Sequence, residues 1–281
     1  MNELELSIAI EAALVARNLR NMQTARSALQ PGYYLRAAEL LRDIRGTVII
    51  GTGFPVGDTF ETDGPVGAIA LFNALQALGA EPLLACGPPL SARLSGDYPV
   101  LALGARDVIA ARDEARDNLQ RLTPAAVISI EHPGLGPDGR HYNMIGEDIS
   151  LRSAYFDAYL DEASCPTIAI GDGGNEVGMG NIAATIAGLD IIGSVSRCDE
   201  LLVADVSNWG AYGIIALLAL WSGRDLLEQV SPLAILEYLS ALGSVDGVTR
   251  ENTLTEDGLD ASEGLQIIAQ LRQLTGFATA T

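Results

Sequence analysis

Thr167-Ile168-Ala169-Ile170 runs directly into Gly171-Asp172-Gly173-Gly174-Asn175-Glu176-Val177-Gly178-Met179-Gly180-Asn181. The first four residues are a short apolar run of the kind that forms a strand covered on both faces. The loop behind it holds five glycines in eleven residues. Glycine costs conformational entropy, and a plain turn needs only one or two. The surplus, with the oxygen-bearing side chains Asp172, Asn175, Glu176 and Asn181, marks a strand that ends in a site. Glycine-rich loops between strand and helix usually hold phosphate on backbone amides. Asp172 and Glu176 would repel a bare phosphate, and no phosphate-loop lysine accompanies them. A hard divalent cation held by oxygens is the better reading, and it would carry an anionic substrate into an acidic site.

The same alternation extends outward along the chain. Apolar runs at 47–50, 82–86, 126–130, 167–170 and 201–204, with a weaker one at 100–103, are bounded by glycine, proline or polar residues. Stretches of helical period at 8–29, 33–44, 66–78, 107–122, 151–162, 182–189, 211–221, 232–242 and 262–274 surround them. The pattern predicts a three-layer α/β fold, a mostly parallel sheet with helices on both faces. The length suits one domain over 1–281, with N-terminal helices up to about residue 45 packed on it. The apolar stretch 212–221 reads as a wholly buried helix.

Composition removes several chemistries. Every one of the 17 basic residues is arginine, so Schiff-base catalysis, pyridoxal phosphate attachment and a phosphate-loop NTPase mechanism are excluded. A Gly-x-Gly-x-x-Gly dinucleotide fingerprint is missing too, because Val56 stands where the third glycine would be. No nucleotide cofactor is therefore expected. The net charge of −19 opposes nucleic acid or an anionic membrane as partner, and no stretch approaches the roughly 20 apolar residues of a membrane span. Cys86, Cys165 and Cys198 are odd in number and widely spaced, which points to a reduced cytoplasm and inert thiols. No Gly-x-Ser-x-Gly elbow occurs.

In open sheets of this kind ligands sit beyond the carboxyl ends of the strands. Four predicted strand ends carry glycines with carboxylates or carboxamides, and they are read as one pocket. The first supplies Thr52 and Gly53, then Glu61-Thr62-Asp63-Gly64-Pro65; Thr62 and Asp63 also suit a helix cap, whereas Glu61 precedes it and is the better ligand or proton carrier. The second supplies Glu131, His132, His141 and Asn143. A carboxylate ending an apolar strand is costly to bury unpaired. The two histidines lack zinc-ligand spacing, and each is either a substrate contact or a buried structural group. Asp148 reads as a helix cap. The last supplies Asn208 and Trp209, which either fix a substrate edge or cap and pad the helix behind them.

The blocks Glu61-Thr62-Asp63-Gly64-Pro65-Val66-Gly67-Ala68, 171–180 and Val206-Ser207-Asn208-Trp209-Gly210 resemble, in this order, the D-glutamate cyclase C-terminal domain family, over about residues 47–220. The resemblance implies an α/β fold with an acidic cavity binding a divalent metal. For the eukaryotic member, where this domain follows a second one, it implies cyclisation of D-glutamate to 5-oxo-D-proline with loss of water. His132 stands where an arginine is common and His141 where a tyrosine is common.

Joined to the residue reading, the resemblance gives an expected site. Mg²⁺ or Mn²⁺ is held by Asp63, Asp172 and Glu176, and Glu61 or Glu131 moves protons. Thr52, Gly53, Asn143, Asn175 and Asn208 bind substrate, and the amides of Gly173 and Gly174 face the oxyanion. The expected partner is a small acidic substrate, an amino acid or a phosphorylated metabolite, with a homo-oligomer as an open possibility. The alternatives are a metal-dependent phosphatase or other hydrolase, and a protein that binds a metal or metabolite without turnover.

Overall fold

The structure, a computed structural model, describes residues 1–278. Along the chain its strands are β1 (Thr47–Thr52), β2 (Pro55–Val56), β3 (Thr59–Phe60), β4 (Glu81–Cys86), β5 (Val100–Ala102), β6 (Ala126–Ile130), β7 (Thr167–Gly171), β8 (Glu200–Val203), β9 (Thr255–Glu256) and β10 (Leu259–Asp260). The helices are α1 (Glu3–Leu14), α2 (Met22–Ser27), α3 (Tyr33–Leu41), α4 (Pro65–Ala77), α5 (Leu90–Leu94), α6 (Val108–Leu122), α7 (Asp157–Glu162), α8 (Ala183–Ile186), α9 (Ser207–Ser222), α10 (Pro232–Ala241) and α11 (Ala261–Leu274).

Six strands form one sheet in the order β5-β4-β1-β6-β7-β8, every pair parallel. Its register sets Ile50 beside Leu84 on one side and Ile128 on the other, then Ile128 beside Ile168 and Ile170 beside Leu202. All are fully buried, which is why these strands read as unbroken apolar runs rather than alternating ones. The chain starts in the middle of the sheet at β1, works outward through β4 and β5, then returns to the other side of β1 with β6. The crevice between the ends of β1 and β6 is where an open sheet of this winding offers a ligand site.

Helices cover both faces. Thr52 faces Gly64 at the start of α4, while its neighbour Gly51 faces the ring of Phe156, stacked on Tyr159 of α7 at 5.2 Å between centroids. α4 and α9 pack together on the first face, with α1, α3 and α11 against α9. α9 is buried from Ser207 to Ala219, the wholly buried helix expected from the sequence. Among the described residues no helix is long and apolar enough to cross a membrane.

The expected helix 182–189 shrinks to the single turn of α8, and three others are drawn differently. The stretch 8–29 is two helices. α1 begins earlier, at a capping box in which Asn2 and Glu5 satisfy each other's backbone, and the chain breaks after Leu14. Asn18 and Asn21 take left-handed backbone angles, and the Asp205 carboxylate accepts the Arg17 and Leu19 amides at 2.7 and 3.3 Å. A distant acceptor thus replaces the helical bonds that local propensity favoured. Of 151–162 only α7 is helical. Asp148 caps no helix; it accepts the Ser150 amide and hydroxyl at 3.0 and 2.7 Å, a local closure that competes with helix. α9 starts four residues before the expected 211, for a reason that lies at the site.

Candidate active site

Helices α4 and α9 start side by side, and each supplies the other's cap. Neither has a local one: α4 is preceded by Gly64 and α9 by Val206, whose side chain accepts no hydrogen bond. Asp63 instead accepts the α9 amides of Ser207 and Asn208 at 2.9 and 2.8 Å. Asn208 Oδ1 in turn accepts the amides of Gly64 and Gly67 at 2.8 and 2.6 Å. A Cβ on Gly67 would lie 2.8 Å from the Asn208 Cα, so glycine is what lets the two helix starts come this close. The exchange corrects two expectations. Asp63 caps the wrong helix for a local reading, and Asn208 is a structural carboxamide: its Nδ2 is spent on Thr62 O and on Glu256 Oε2 at 3.3 and 2.6 Å.

The same exchange draws three strand ends together. Asp63, Glu131 and Asp172 each present one oxygen, all within 4.8 Å of one another, and all three residues are buried. Glu131 is held by the Ser207 hydroxyl at 2.6 Å and sits in the left-handed region at φ 44°. Strain of that kind in a non-glycine residue persists where the surroundings over-determine it. These are hard carboxylate oxygens, the donor type that Mg²⁺ and Mn²⁺ take.

Arg20, delivered by the break after α1, reaches the same place. Its guanidinium donates to Asp172 and, at 2.8 Å, to Asp257. Six carboxylates (Glu61, Asp63, Glu131, Asp172, Glu176 and Asp257) lie within the field of this one cation. Burial, then the Asp257 charge, lifts Asp63 to about 7. Burial and neighbouring carboxylates raise Glu61 and Glu131 well above the ordinary carboxylate range. Burial raises Asp172 even against the opposing pull of Arg20. Burial pushes Asp257 up as well, but Arg20 beside it wins and holds it low. Buried like charges in such excess stay ionised together only if further positive charge is supplied. The donor set, its burial and this deficit all fit a dication.

Glu176 does not join the trio. Its two oxygens accept the amides of Gly173 and Gly174 at 2.9 and 2.7 Å, so the carboxylate folds back and braces its own loop. This reverses two expectations at once: Glu131 stands where Glu176 was expected, and the two glycine amides are taken. A Cβ on Gly173 would lie 2.8 Å from Glu176 Oε1, which explains that glycine.

A cavity of about 370 Å³ opens above Glu131 and Asp172, with Asp63 buried behind them; it is lined by these two, Glu61, Asn175, Glu176 and Asp257 below and by Asn143, Arg152 and Arg250 nearer the solvent. Asn175 Nδ2 donates to Tyr142 O at 2.9 Å, and its buried Oδ1 has no partner among the described residues. Asn143 belongs to an exposed loop, accepting the amides of Ile145 and Glu147 at 3.2 and 2.9 Å. Thr52 and Gly53 are outside the cavity lining, packed against Gly64 and Leu90. His132 and His141 are fully buried away from it, among Phe156, Tyr155 and Asp157; burial holds His132 down at about 4, hence neutral. Cys86 is buried, its thiol pushed up by burial to about 12. The residues that sequence reasoning missed are Arg20, Arg152, Arg250, Glu256 and Asp257. The signals were faint: an arginine in the stretch Asn18-Leu19-Arg20-Asn21, and an acidic pair, Glu256-Asp257, before a glycine.

The family described as "D-glutamate cyclase-like, C-terminal" matches residues 10–272. Human mitochondrial D-glutamate cyclase is 32% identical over 199 residues, an alignment covering 61% of this chain and 32% of that protein. The chain thus spans about a third of the length of this relative. An exopolyphosphatase-related protein from Bacteroides fragilis superposes with a TM-score of 0.40 at 8% identity, covering 89% of this chain and 62% of that one.

Proposed function

From the membership of this chain in the D-glutamate cyclase-like C-terminal family, to which it belongs over residues 10–272, we propose that it is a lyase cyclising D-glutamate or a related acidic amino acid to a five-membered lactam with loss of water. The observation that carries the reading is the convergence of Asp63, Glu131 and Asp172, the last two lining a cavity that also holds guanidinium groups and Asp63 buried behind them. Asp63, Glu131 and Asp172 would hold Mg²⁺ or Mn²⁺, which when bound supplies Lewis-acid polarisation of a carboxylate oxygen.

The rest falls to the chain's own groups. In the overall reaction the amine nitrogen bonds to the side-chain carboxyl carbon and one carbon–oxygen bond breaks. The two protons shed by the ammonium group leave on the departing oxygen as water. Glu61 suits the transfer: it lines the cavity, its carboxylate accepts no hydrogen bond among the described residues, and burial beside Asp257 and Asp63 raises its proton affinity. Arg20 keeps Asp172 and Asp257 in place. Glu176 and its two amide bonds hold the glycine-rich loop rigid beneath them.

The test is an assay of the purified chain with Mn²⁺, following D-glutamate and 5-oxoproline by chiral chromatography, alongside generic phosphate esters. 5-Oxoproline without phosphate release supports the reading. Phosphate release with D-glutamate unchanged sinks it in favour of a hydrolase.

A further inference from the structure

We propose that Arg250 anchors the α-carboxylate of an α-amino dicarboxylic acid at the cavity rim while Asn175 Oδ1 accepts a hydrogen bond from its amine, so that this pair sets the substrate class. The proposal rests on the cyclase reading and deepens it.

Of the three arginines lining the cavity, two are already engaged. Arg20 is committed to Asp172 and Asp257, and Arg152 donates to Glu147 at 2.7 Å. Arg250 is exposed, and its guanidinium makes no hydrogen bond or ion pair with any described residue. Its backbone is fixed nonetheless. The Arg250 amide donates to Asp246 O at 2.8 Å and its φ is 60°. The buried Asp246 carboxylate ties down the turn by accepting the amides of Val248, Thr249 and Gly258 at 2.9, 2.8 and 2.7 Å. A rigid base thus carries an uncommitted fork of donors, the geometry that suits a carboxylate.

Asn175 supplies the complementary half. Because Nδ2 is used on a carbonyl, the amide cannot turn over, and Oδ1 is an acceptor. That atom is buried and has no donor among the described residues, and Asn175 is one of the residues lining the cavity. One unfilled fork of donors and one unfilled acceptor match the two groups on the α-carbon of an amino acid. The second carboxylate of the substrate would go to the carboxylate-rich base, where only a cation-bridged anion is tolerated. A monocarboxylate with an amine fills one end only.

Calorimetric titration of the Mn²⁺-loaded full chain with D-glutamate, glutarate and 4-aminobutyrate tests this, with steady-state rates on D-glutamate beside it. Arg250→Gln is expected to weaken D-glutamate binding and raise KM by roughly tenfold to a hundredfold, with kcat changed far less. Arg250→Lys should fall between, because a point charge lacks the fork. 4-Aminobutyrate, which has no α-carboxylate, should not feel either change, and Asn175→Ala should weaken D-glutamate more than glutarate. An unchanged D-glutamate affinity in Arg250→Gln, or an equal loss for 4-aminobutyrate, overturns the proposal, as does a wild-type chain that binds no D-glutamate. Arg250-dependent binding without 5-oxoproline would leave the anchor standing and remove the cyclase reading. 5-Oxoproline formation with an unchanged KM in Arg250→Gln would do the reverse. Melting curves of each variant check the fold.

Discussion

At the base of the cavity, Glu131 and Asp172, with Asp63 buried behind them, sit where sheet strands and a capped helix begin or end, held by backbone amides, a buried hydroxyl and Arg20. At the rim, Arg250 and Arg152 come from loops, the first with an exposed side chain and the second half-buried and paired with Glu147. The base is therefore coupled to folding and the rim is not. A charge change at the base disturbs chemistry and packing together, while a change at the rim is felt only by what binds there.

The largest effect that can break this contrast is expected at Asp172. Asp172→Asn removes one of three converging oxygens, and kcat/KM should fall by on the order of 10³-fold or more. Its melting temperature in chelator should stay level or rise, because one of six crowded buried carboxylates has gone. Steady-state kinetics with Mn²⁺ and calorimetry with EDTA measure the two. Activity within tenfold of wild type would mean that the trio is a structural knot.

The contrast also explains what the sequence made readable. The strands of the sheet were legible because burial on both faces leaves continuous apolar runs such as Val48 to Ile50 and Ile168 to Ile170, and the strand-end carboxylates followed from them. Glu61, Asp63, Glu131 and Asp172 were found this way. The division of labour among them was not, because it depends on hydrogen bonds formed across the fold: Glu176 turns onto Gly173 and Gly174, and Asn208 onto Gly64 and Gly67. Arg20 and Asp257 lie outside the motif blocks, 237 residues apart, and meet only when both ends of the chain close on the site. No periodicity encodes such a meeting.

A smaller effect, on stability this time, is expected at the exchanged helix caps. Asn208→Ala strands the Gly67 amide and leaves Glu256 without its donor, and should cost about 3–5 kcal/mol in chemical denaturation. The rim substitution Arg250→Gln should stay within about 0.5 kcal/mol of wild type. Similar losses from the two would erase the distinction between base and rim.

The smallest effect sharpens the contrast through pH. Burial, then the Asp63 charge, lifts Glu256 from 4.5 to about 8. Its raised value means that the folded chain keeps a proton the unfolded chain has released between these two pH values. The unfolded state binds fewer protons there, so the contribution of Glu256 is full below pH 4.5 and is lost as pH climbs through about 8. Glu256→Gln keeps a carbonyl oxygen for Asn208 Nδ2 and removes the titration. The stability difference between the variant and wild type should therefore drift in favour of the variant by roughly 3–4 kcal/mol from pH 5 to pH 8. Denaturation midpoints across that range, in EDTA, provide the measurement. A difference that does not move with pH would mean that Glu256 is ionised in the fold, and that the base of the cavity tolerates one more negative charge than its single guanidinium can balance.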